Sequence, residues 1–211
     1  LLTTKDAEYE ARAVILATGA SAKRLGIEGE ERMIGRGISY CAACDGALFR
    51  GRAVAVVGGG RSAASEALCL AQYASEVHLL FRRTEMRITA RERSALTENR
   101  KITPHPGAAV TRLIGEERLS GVEYQQHGKA HQLALDGLFV AIGRAPETGS
   151  VKEQLASDDK GYLLTDERCM TAVPGVFAAG DVRHKNVRQI VTAAGDGAAA
   201  AFSLAEYLQA Q

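Results

Sequence analysis

The fold can be predicted from one stretch of the chain, Ala53-Val-Ala-Val-Val-Gly-Gly-Gly-Arg-Ser-Ala63. Its five apolar residues predict a buried strand, and its three glycines predict a tight turn. Residues 62–73, rich in Ala, Leu and Glu, predict a helix, and residues 76–81 predict the next strand. Strand, helix and strand in this order indicate a β-α-β unit, and therefore an α/β protein with a parallel sheet.

Short apolar runs and their flanking glycines extend this pattern in both directions along the chain. An antiparallel hairpin is expected within residues 121–135, because two alternating segments flank a polar turn at Gly128. Strands with turns are also predicted over residues 102–110. The other predicted strands are 14–16, 138–142 and 176–179, and the other predicted helices are 90–98 and 189–208.

The glycine turn fits the dinucleotide-binding pattern G-x-G-x-x-A, with Gly58, Gly60 and Ala63 at its fixed positions. Gly58 allows the tight turn, Gly60 lets a pyrophosphate approach the backbone, and Ala63 lets the helix pack close to the strand. A plain flexible turn is the alternative, and the strand-turn-helix context favours the cofactor site. The same candidate site includes Gly59, Arg61 and Ser62.

Arginines at the end of the next predicted strand indicate which dinucleotide is bound. An NAD site commonly has an acidic residue there, about 20 residues after the glycines. This chain has Arg82 and Arg83, with Arg87 close behind, and such side chains suit the 2′-phosphate of NADP. The alternative is a solvated basic edge, and Glu85 weakens the local positive field. We therefore expect NADPH rather than NADH.

A C-x-x-C motif lies at Cys41 and Cys44. Two thiols at this spacing can form a disulfide and reopen it by exchange, and Asp45 beside them is a candidate proton carrier. Half of a zinc site is the alternative. No second C-x-x-C exists, and Cys69 and Cys169 stand alone, so we expect no metal. Cys69 is expected in the core, and Cys169, in a loop-like stretch, receives no role.

A flavin is expected between these two motifs, because passing hydride from a nicotinamide to a disulfide normally requires one. Residues 176–181 form an apolar strand that ends in Gly180 and Asp181. A buried Asp at this point can bind a ribityl or ribose hydroxyl, and the amides of the following helix can face the flavin ring. His105, between two prolines, is expected to be a loop residue. His184 and Lys185 are expected to be solvated residues of a polar loop.

Composition limits the class of protein. The chain has 211 residues, of which 46% are hydrophobic and 24% charged, as in ordinary soluble domains. A net charge of +1 gives no bulk attraction to nucleic acid or membrane surfaces. No apolar run is long enough to span a bilayer, and the start does not resemble a signal peptide. We therefore expect a cytoplasmic protein without nucleic-acid or membrane partners.

Together these motifs resemble the low-molecular-weight thioredoxin reductases of bacteria. The resemblance extends over nearly the whole chain, in the order found in that family. The matching stretches are Ala17-Thr-Gly-Ala20, Cys41-Ala-Ala-Cys-Asp-Gly46, the Gly58 loop, Ser75-Glu-Val-His-Leu79 with Arg82-Arg83, Gly137-Leu-Phe-Val-Ala-Ile-Gly143, Pro174-Gly-Val-Phe-Ala-Ala-Gly-Asp181, and Arg188-Gln189 with Ala194-Gly195.

The resemblance implies two interleaved Rossmann-like nucleotide-binding domains in three layers. An NADPH domain would comprise residues 23–136, and a discontinuous FAD domain residues 1–22 and 137–211. Cys44 would be the thiol beside the flavin, Cys41 the interchange thiol and Asp45 the acid/base residue. Thioredoxin or a similar small protein would be the substrate, and the protein would be a homodimer. The expected FAD-side residues are Ala17, Thr18, Gly19, Ile142, Gly143, Gly180, Asp181, Arg188, Gln189 and Ile190.

The sequence departs from the family mainly at its beginning. Nothing before Val14 resembles the strand-G-x-G-x-x-G-helix with which the family opens. We therefore expect the FAD domain to be incomplete in this chain, and FAD binding by this polypeptide alone to be weak or absent. Two alternatives remain, namely a related CxxC flavoprotein with another electron donor or acceptor, and an inactive nucleotide-binding fragment.

Overall fold

The computed structural model describes all 211 residues, which divide into two units. One unit comprises Ala22–Gly143, and the other comprises Leu1–Ser21 with Arg144–Gln211. The predicted α/β class is confirmed. Strand β12, which begins at Gly137, belongs to the sheet of the first of these units, although sequence analysis placed it in the returning segment. Which cofactor each unit binds stays a prediction.

The elements can be given in chain order. The strands are β1 (Leu2–Thr3), β2 (Glu8–Tyr9), β3 (Val14–Leu16), β4 (Ala20–Ala22), β5 (Ile38–Ser39), β6 (Ala53–Val57), β7 (Glu76–Phe81), β8 (Ile102–Pro106), β9 (Ala109–Ile114), β10 (Gly121–Gln126), β11 (Lys129–Ala134), β12 (Gly137–Val140), β13 (Arg144–Pro146) and β14 (Val176–Ala178). The α-helices are α1 (Glu30–Met33), α2 (Ala42–Asp45), α3 (Arg61–Leu70), α4 (Ala90–Glu98) and α5 (Ile190–Gln209).

The unit of residues 22–143 is built on a five-stranded sheet with the order β5-β12-β6-β7-β8. All of its pairings are parallel. The chain runs from β6 through β7 to β8 in one direction and places β12 on the other side of β6. Ligands of open α/β sheets bind at the carboxyl ends of strands where the order reverses in this way, which here is the end of β6.

Alternating side chains of the parallel sheet pack into two cores. Val54 and Val56 of β6 face α3 and α4, whereas Ala55 and Val57 face the antiparallel sheet β11-β10-β9. Because both faces are covered, β6 is a continuous apolar run rather than an alternating one. This unit therefore has three layers, with helices, a parallel sheet and an antiparallel sheet.

The other unit centres on the parallel pair β3 and β14. Phe177 of β14 is buried against Ala200 and Tyr207 of helix α5, and Ala178 packs on the opposite side with Leu163. The pairs β1–β2 and β4–β13 complete its strands. None of the helices in the structure, including the 20-residue α5, combines the length and apolar character required to cross a membrane.

One region differs in part from the sequence-based expectations. Residues 102–110, where strands with turns were predicted, form β8 and the start of β9, separated at Gly107, whose φ is 73°. His105 was expected to be a loop residue, and this was wrong, because it lies half-buried in β8. Its Nε2 is 3.1 Å from Nδ1 of His78, and its Nδ1 is 3.4 Å from the Tyr124 hydroxyl.

Candidate active site

The C-x-x-C motif forms a disulfide at the start of the short helix α2. Cys41 and Cys44 are bonded, with their Cα atoms 5.3 Å apart. Cys41 has extended backbone angles and precedes the helix, and its Sγ accepts a hydrogen bond from the amide of Cys44 at 3.2 Å. Cys44 is exposed and Cys41 is half-buried. A small exposed disulfide of this kind can be reached by a thiol for exchange.

Asp45 is held by a residue that sequence analysis did not identify. The hydroxyl of Ser39 donates to Oδ2 of Asp45 at 2.6 Å, and the Ser39 oxygen accepts from the amide of Cys41 at 3.1 Å. Ser39 is the last residue of β5, whose pairing with β12 fixes its position. The predicted proton carrier is therefore tied to the backbone of the disulfide through one serine.

A buried carboxylate, Glu30, holds the residue that precedes the C-x-x-C motif. Glu30 accepts hydrogen bonds from the amides of Leu25 and Gly26 and from the hydroxyl of Tyr40, the residue before Cys41. Burial works against ionisation of Glu30, but these hydrogen bonds outweigh it and lower its pKa. Burial and the bond to Glu30 raise the pKa of Tyr40 to about 12. Tyr40 therefore remains a neutral donor at neutral pH.

The glycine loop follows β6 as predicted and has the geometry of a phosphate site. Gly58 has a φ of 155°, and a Cβ there would lie 2.4 Å from the Ala141 carbonyl oxygen and 2.8 Å from Cβ of Ala63. A Cβ at Gly60 would meet no atom within 4 Å, which shows open space beside this residue. No side chain caps the N-terminus of α3, so its first amides are available to an anion.

The arginines predicted for this site differ in their distance from the glycine loop and in their partners. Arg87 lies beside the glycines, because its amide donates to the Gly59 carbonyl oxygen at 2.8 Å. Arg82 and Arg83 are exposed directly after β7. Arg61, also predicted for this site, forms an ion pair in which its Nε lies 2.9 Å from Oε1 of Glu92. Its charge is thus largely matched in this structure.

Glu92 also caps helix α4 through Thr89, in a reciprocal capping box. Hydrogen bonds from the Thr89 backbone and then from Arg61 lower the pKa of Glu92 to about 2. The capping box and the ion pair thus link the start of α4 to the first residue of α3.

The disulfide and the glycine loop lie at opposite ends of helix α3. Gly46, directly after α2, packs against Leu70 and Tyr73 at the C-terminal end of α3, whereas the loop opens its N-terminal end. Ten helical residues extend about 15 Å. The structure thus does not place the dithiol beside the predicted pyrophosphate site.

Asp181 has an unused hydrogen-bonding atom. Its Oδ1 is buried without a hydrogen-bond partner, and its Oδ2 lies 3.9 Å from Arg144. An unpaired buried carboxylate oxygen is costly unless a donor arrives, and a ribityl or ribose hydroxyl is such a donor. Arg188 sits over the ring of Tyr162 at 3.7 Å and donates to the Asp181 carbonyl oxygen at 3.4 Å.

Asp196, a residue that the sequence did not point to, fixes the turn that carries Asp181. Asp196 of α5 accepts from the Gly180 amide at 3.1 Å, from Arg183 at 3.0 Å and from Lys185 at 2.8 Å. The expectation that Lys185 is solvated was therefore wrong, since only 13% of its side chain is exposed. His184 is exposed as expected and pairs with Asp158.

Cys169, to which sequence analysis gave no role, lies in the same cluster. It is fully buried, and its Sγ accepts from Arg183 at 3.0 Å. Burial raises the pKa of this thiol. Cys69, a residue of α3, is half-buried and packs against the hydrophobic core, as expected.

The remaining FAD-side candidates occur in both units. Thr18 follows β3 and donates to the Glu147 carbonyl oxygen at 2.6 Å, next to Gly19. Gln189 forms a capping box with Thr192 at the start of α5, a role that the sequence did not predict, and Ile190 is 90% exposed. The other candidates of this group are Ala17, which follows β3, and Ile142 and Gly143, which follow β12.

The fold and the site define an α/β protein of the nucleotide-binding type that carries an exposed C-x-x-C disulfide. The family model of pyridine nucleotide-disulphide oxidoreductases matches residues 1–197. The chain belongs to this family, and the thioredoxin reductases are its relatives within it.

Individual comparisons agree with this assignment. Thioredoxin reductase of Listeria monocytogenes is 39% identical over 99% of the chain and 66% of its own length. The crystal structure of thioredoxin reductase from Streptococcus pyogenes is 41% identical, with a TM-score of 0.93 over 99% of this chain and 69% of that one. The chain thus spans slightly less than two thirds of the Listeria relative, which fits a partial FAD domain.

A more distant structure carries a different name. The ferredoxin-flavin thioredoxin reductase from Clostridium acetobutylicum is 28% identical, with a TM-score of 0.51 over 94% of this chain and 64% of that one.

Proposed function

We propose that the protein reduces a disulfide of thioredoxin or a similar small protein, with electrons that pass from NADPH through FAD to Cys41 and Cys44. The observation that carries this proposal is the exposed Cys41–Cys44 disulfide in a chain related to thioredoxin reductases. Because the chain spans 66% of the Listeria relative, the activity of the whole protein is part of the proposal.

NADPH is proposed to bind in the unit of residues 22–143. The open space beside Gly60 fits a pyrophosphate, and the uncapped start of α3 supplies amide donors. Arg82, Arg83 and Arg87 are proposed to hold the 2′-phosphate, and the open, exposed positions of the first two supply the charge for it. The remaining loop residues proposed for this site are Gly58, Gly59, Arg61, Ser62 and Ala63.

FAD is proposed to bind in the unit of residues 1–21 and 144–211. The buried, unpaired Oδ1 of Asp181 fits a hydroxyl of the cofactor, and Asp196 holds the turn that presents it. When bound, FAD supplies transfer of two electrons from a nicotinamide to a disulfide. The other proposed contacts are Ala17, Thr18, Gly19, Gly180, Arg188, Gln189 and Ile190.

The dithiol chemistry of the chain balances as a thiol–disulfide exchange. The Cys41 thiolate attacks the substrate disulfide, forms a mixed disulfide and releases one substrate sulfur, which takes a proton from Asp45. Asp45, now a carboxylate, takes the proton of the Cys44 thiol, and the Cys44 thiolate attacks Sγ of Cys41. This restores the Cys41–Cys44 disulfide and releases the second substrate sulfur, which takes that proton from Asp45. The substrate gains two electrons and two protons, and the protein pair is oxidised by two electrons.

We further propose a homodimer that works in the cytoplasm. The support for both comes from the resemblance to bacterial thioredoxin reductases. Size-exclusion chromatography with light scattering tests the dimer directly, with a mass near twice 22.4 kDa expected for this chain.

The proposed function is tested with Cys41→Ser in the FAD-loaded protein. NADPH should still bleach the flavin absorbance near 450 nm, whereas reduction of purified thioredoxin should stop. Cys69→Ser is the matched control, because Cys69 lies on α3 against the hydrophobic core and takes no part in the disulfide. Turnover of thioredoxin by Cys41→Ser at the wild-type rate would disprove the assignment of this cysteine.

The similarity to a ferredoxin-flavin thioredoxin reductase favours one alternative, in which the same dithiol receives electrons from another donor. In that case, NADPH would fail to reduce the flavin while a reduced ferredoxin would succeed. Comparing the two donors in one anaerobic titration separates the proposals.

A further inference from the structure

Ser39 is a buried polar residue next to the disulfide that the proposed exchange reaction does not use. Only 6% of its surface is exposed, although it carries a hydroxyl. It contacts both functional parts of the motif, namely the Asp45 carboxylate at 2.6 Å and the Cys41 amide at 3.1 Å. A buried hydroxyl with two such partners is fixed in direction and can fix its partners in turn.

The single proton of the hydroxyl determines which bond it makes. Two acceptors lie within reach, Oδ2 of Asp45 at 2.6 Å and the Cys41 carbonyl oxygen at 3.5 Å. The shorter bond, to a charged acceptor, is the stronger, so the proton points to Asp45. The Ser39 oxygen is then free to accept from the Cys41 amide.

This arrangement commits one oxygen of Asp45 to Ser39. A serine hydroxyl can donate one hydrogen bond and accept two. The Ser39 hydroxyl donates to Oδ2 of Asp45 and accepts from the Cys41 amide. Because Oδ2 is occupied by Ser39, Oδ1 is the oxygen that remains for exchange of a proton with a sulfur atom.

We propose that Ser39 is a positioning residue for the dithiol reaction: it orients Asp45 through Oδ2 and joins this acid/base group to the backbone of Cys41. This inference rests on the proposed function, because it assumes that Asp45 carries the proton. Ser39 itself touches neither sulfur as a reactant. Its effect is on how readily Asp45 holds a proton and on where that proton lies.

The test is the pH dependence of thioredoxin reduction by the FAD-loaded protein with NADPH. Asp45→Asn first identifies the limb of the profile that depends on this carboxyl group. Removing the hydroxyl with Ser39→Ala or Ser39→Gly should move that limb upward by about 1 pH unit, because a carboxylate loses one donated hydrogen bond. Ser39→Thr keeps a hydroxyl and should restore the wild-type position of the limb.

The control is Ser203→Ala, because Ser203 on helix α5 is also only 6% exposed. Removal of its hydroxyl should leave the limb of the pH profile unchanged. An unmoved limb in Ser39→Ala and Ser39→Gly, when Asp45→Asn abolishes it, would overturn the role of Ser39 and leave the proposed function intact. A profile that Asp45→Asn does not alter would instead overturn the acid/base role of Asp45, and with it the role of Ser39.

Discussion

The glycine loop allows the fold and the ligand to be tested separately, because two of its glycines differ in what surrounds them. A Cβ at Gly60 would meet no protein atom within 4 Å. Its backbone, with φ of −121° and ψ of −175°, is extended and suits any residue. We therefore expect Gly60→Ala to fold normally and to lose NADPH affinity, because its methyl group enters the space proposed for the pyrophosphate.

The cost to stability of Gly60→Ala can be worked out from these surroundings. Alanine is a poorer residue than glycine before a helix, by up to about 1 kcal/mol. The same change restricts the unfolded chain, which returns about 0.4–1 kcal/mol. We expect a net change within about 0.5 kcal/mol, and a loss of NADPH affinity of at least about tenfold, which corresponds to 1.4 kcal/mol.

Gly58→Ala should behave in the opposite way. Its Cβ would lie 2.4 Å from the Ala141 carbonyl oxygen and 2.8 Å from Cβ of Ala63, and its φ of 155° is unfavourable for alanine. Overpacking and backbone strain together should cost about 2–5 kcal/mol of folding free energy. Gly59→Ala is the matched control, because its Cβ would make only an ordinary contact with Phe81 at 3.5 Å.

The assay pairs thermal unfolding of each variant with calorimetric titration of NADPH. The expected pattern is a stable Gly60→Ala with weak binding and a destabilised Gly58→Ala. Wild-type NADPH affinity in Gly60→Ala would refute the assignment of this loop as the pyrophosphate site. A stable Gly58→Ala would refute the packing argument instead.

Three further predictions follow from charged and titratable groups. Replacing both Arg82 and Arg83 by Ala should lower kcat/KM for NADPH by about 10- to 100-fold more than for NADH, because each loses a charge-assisted bond to the 2′-phosphate; equal losses would contradict the 2′-phosphate assignment. Burial lowers the pKa values of His78 and His105 below their usual 6.5, so the unfolded chain binds more protons. The stability that these two neutral histidines contribute is therefore complete above about pH 6.5, and it is lost as the pH falls from there through their lower pKa values in the folded protein. Urea unfolding at pH 7.5 and 5.5 should show a smaller unfolding free energy at pH 5.5. In His105→Gln, the difference in unfolding free energy between the two pH values should be smaller than in the wild type. Asp196→Ala should lower the unfolding free energy by about 2–4 kcal/mol, since it leaves two largely buried cations unpaired, and a change in the melting temperature of under 2 °C would contradict this.

The parts of the structure that the sequence predicted are those with a local cause. Strand β6, its glycine turn and helix α3 follow from one apolar run, from glycines that must make a tight turn and from the helix-forming residues after them. The same holds for the hairpin at Gly128, where His127 and Gly128 have φ values of 50° and 75°. The disulfide also has a local cause, since three residues of separation place the two sulfurs within one helical turn.

The parts that the sequence did not predict depend on neighbours distant in the chain. The Pro-His-Pro segment of β8 was interpreted as a loop, yet β8 is an edge strand, where the missing amide of a proline is tolerated. Lys185 is buried because α5 brings Asp196 beside it. No sequence pattern pointed to Ser39, because its contact with Asp45 depends on the turn of the chain between these two residues.

The most direct test of the electron path is to count the thiols that NADPH creates. The FAD-loaded protein should be treated with NADPH without oxygen, alkylated and analysed by peptide mass spectrometry. Cys41 and Cys44 should each change from unlabelled to labelled, while the labelling of Cys69 and Cys169, which are free thiols from the start, should not change. Reduction of the flavin without new label on Cys41 and Cys44 would contradict the path proposed for this protein.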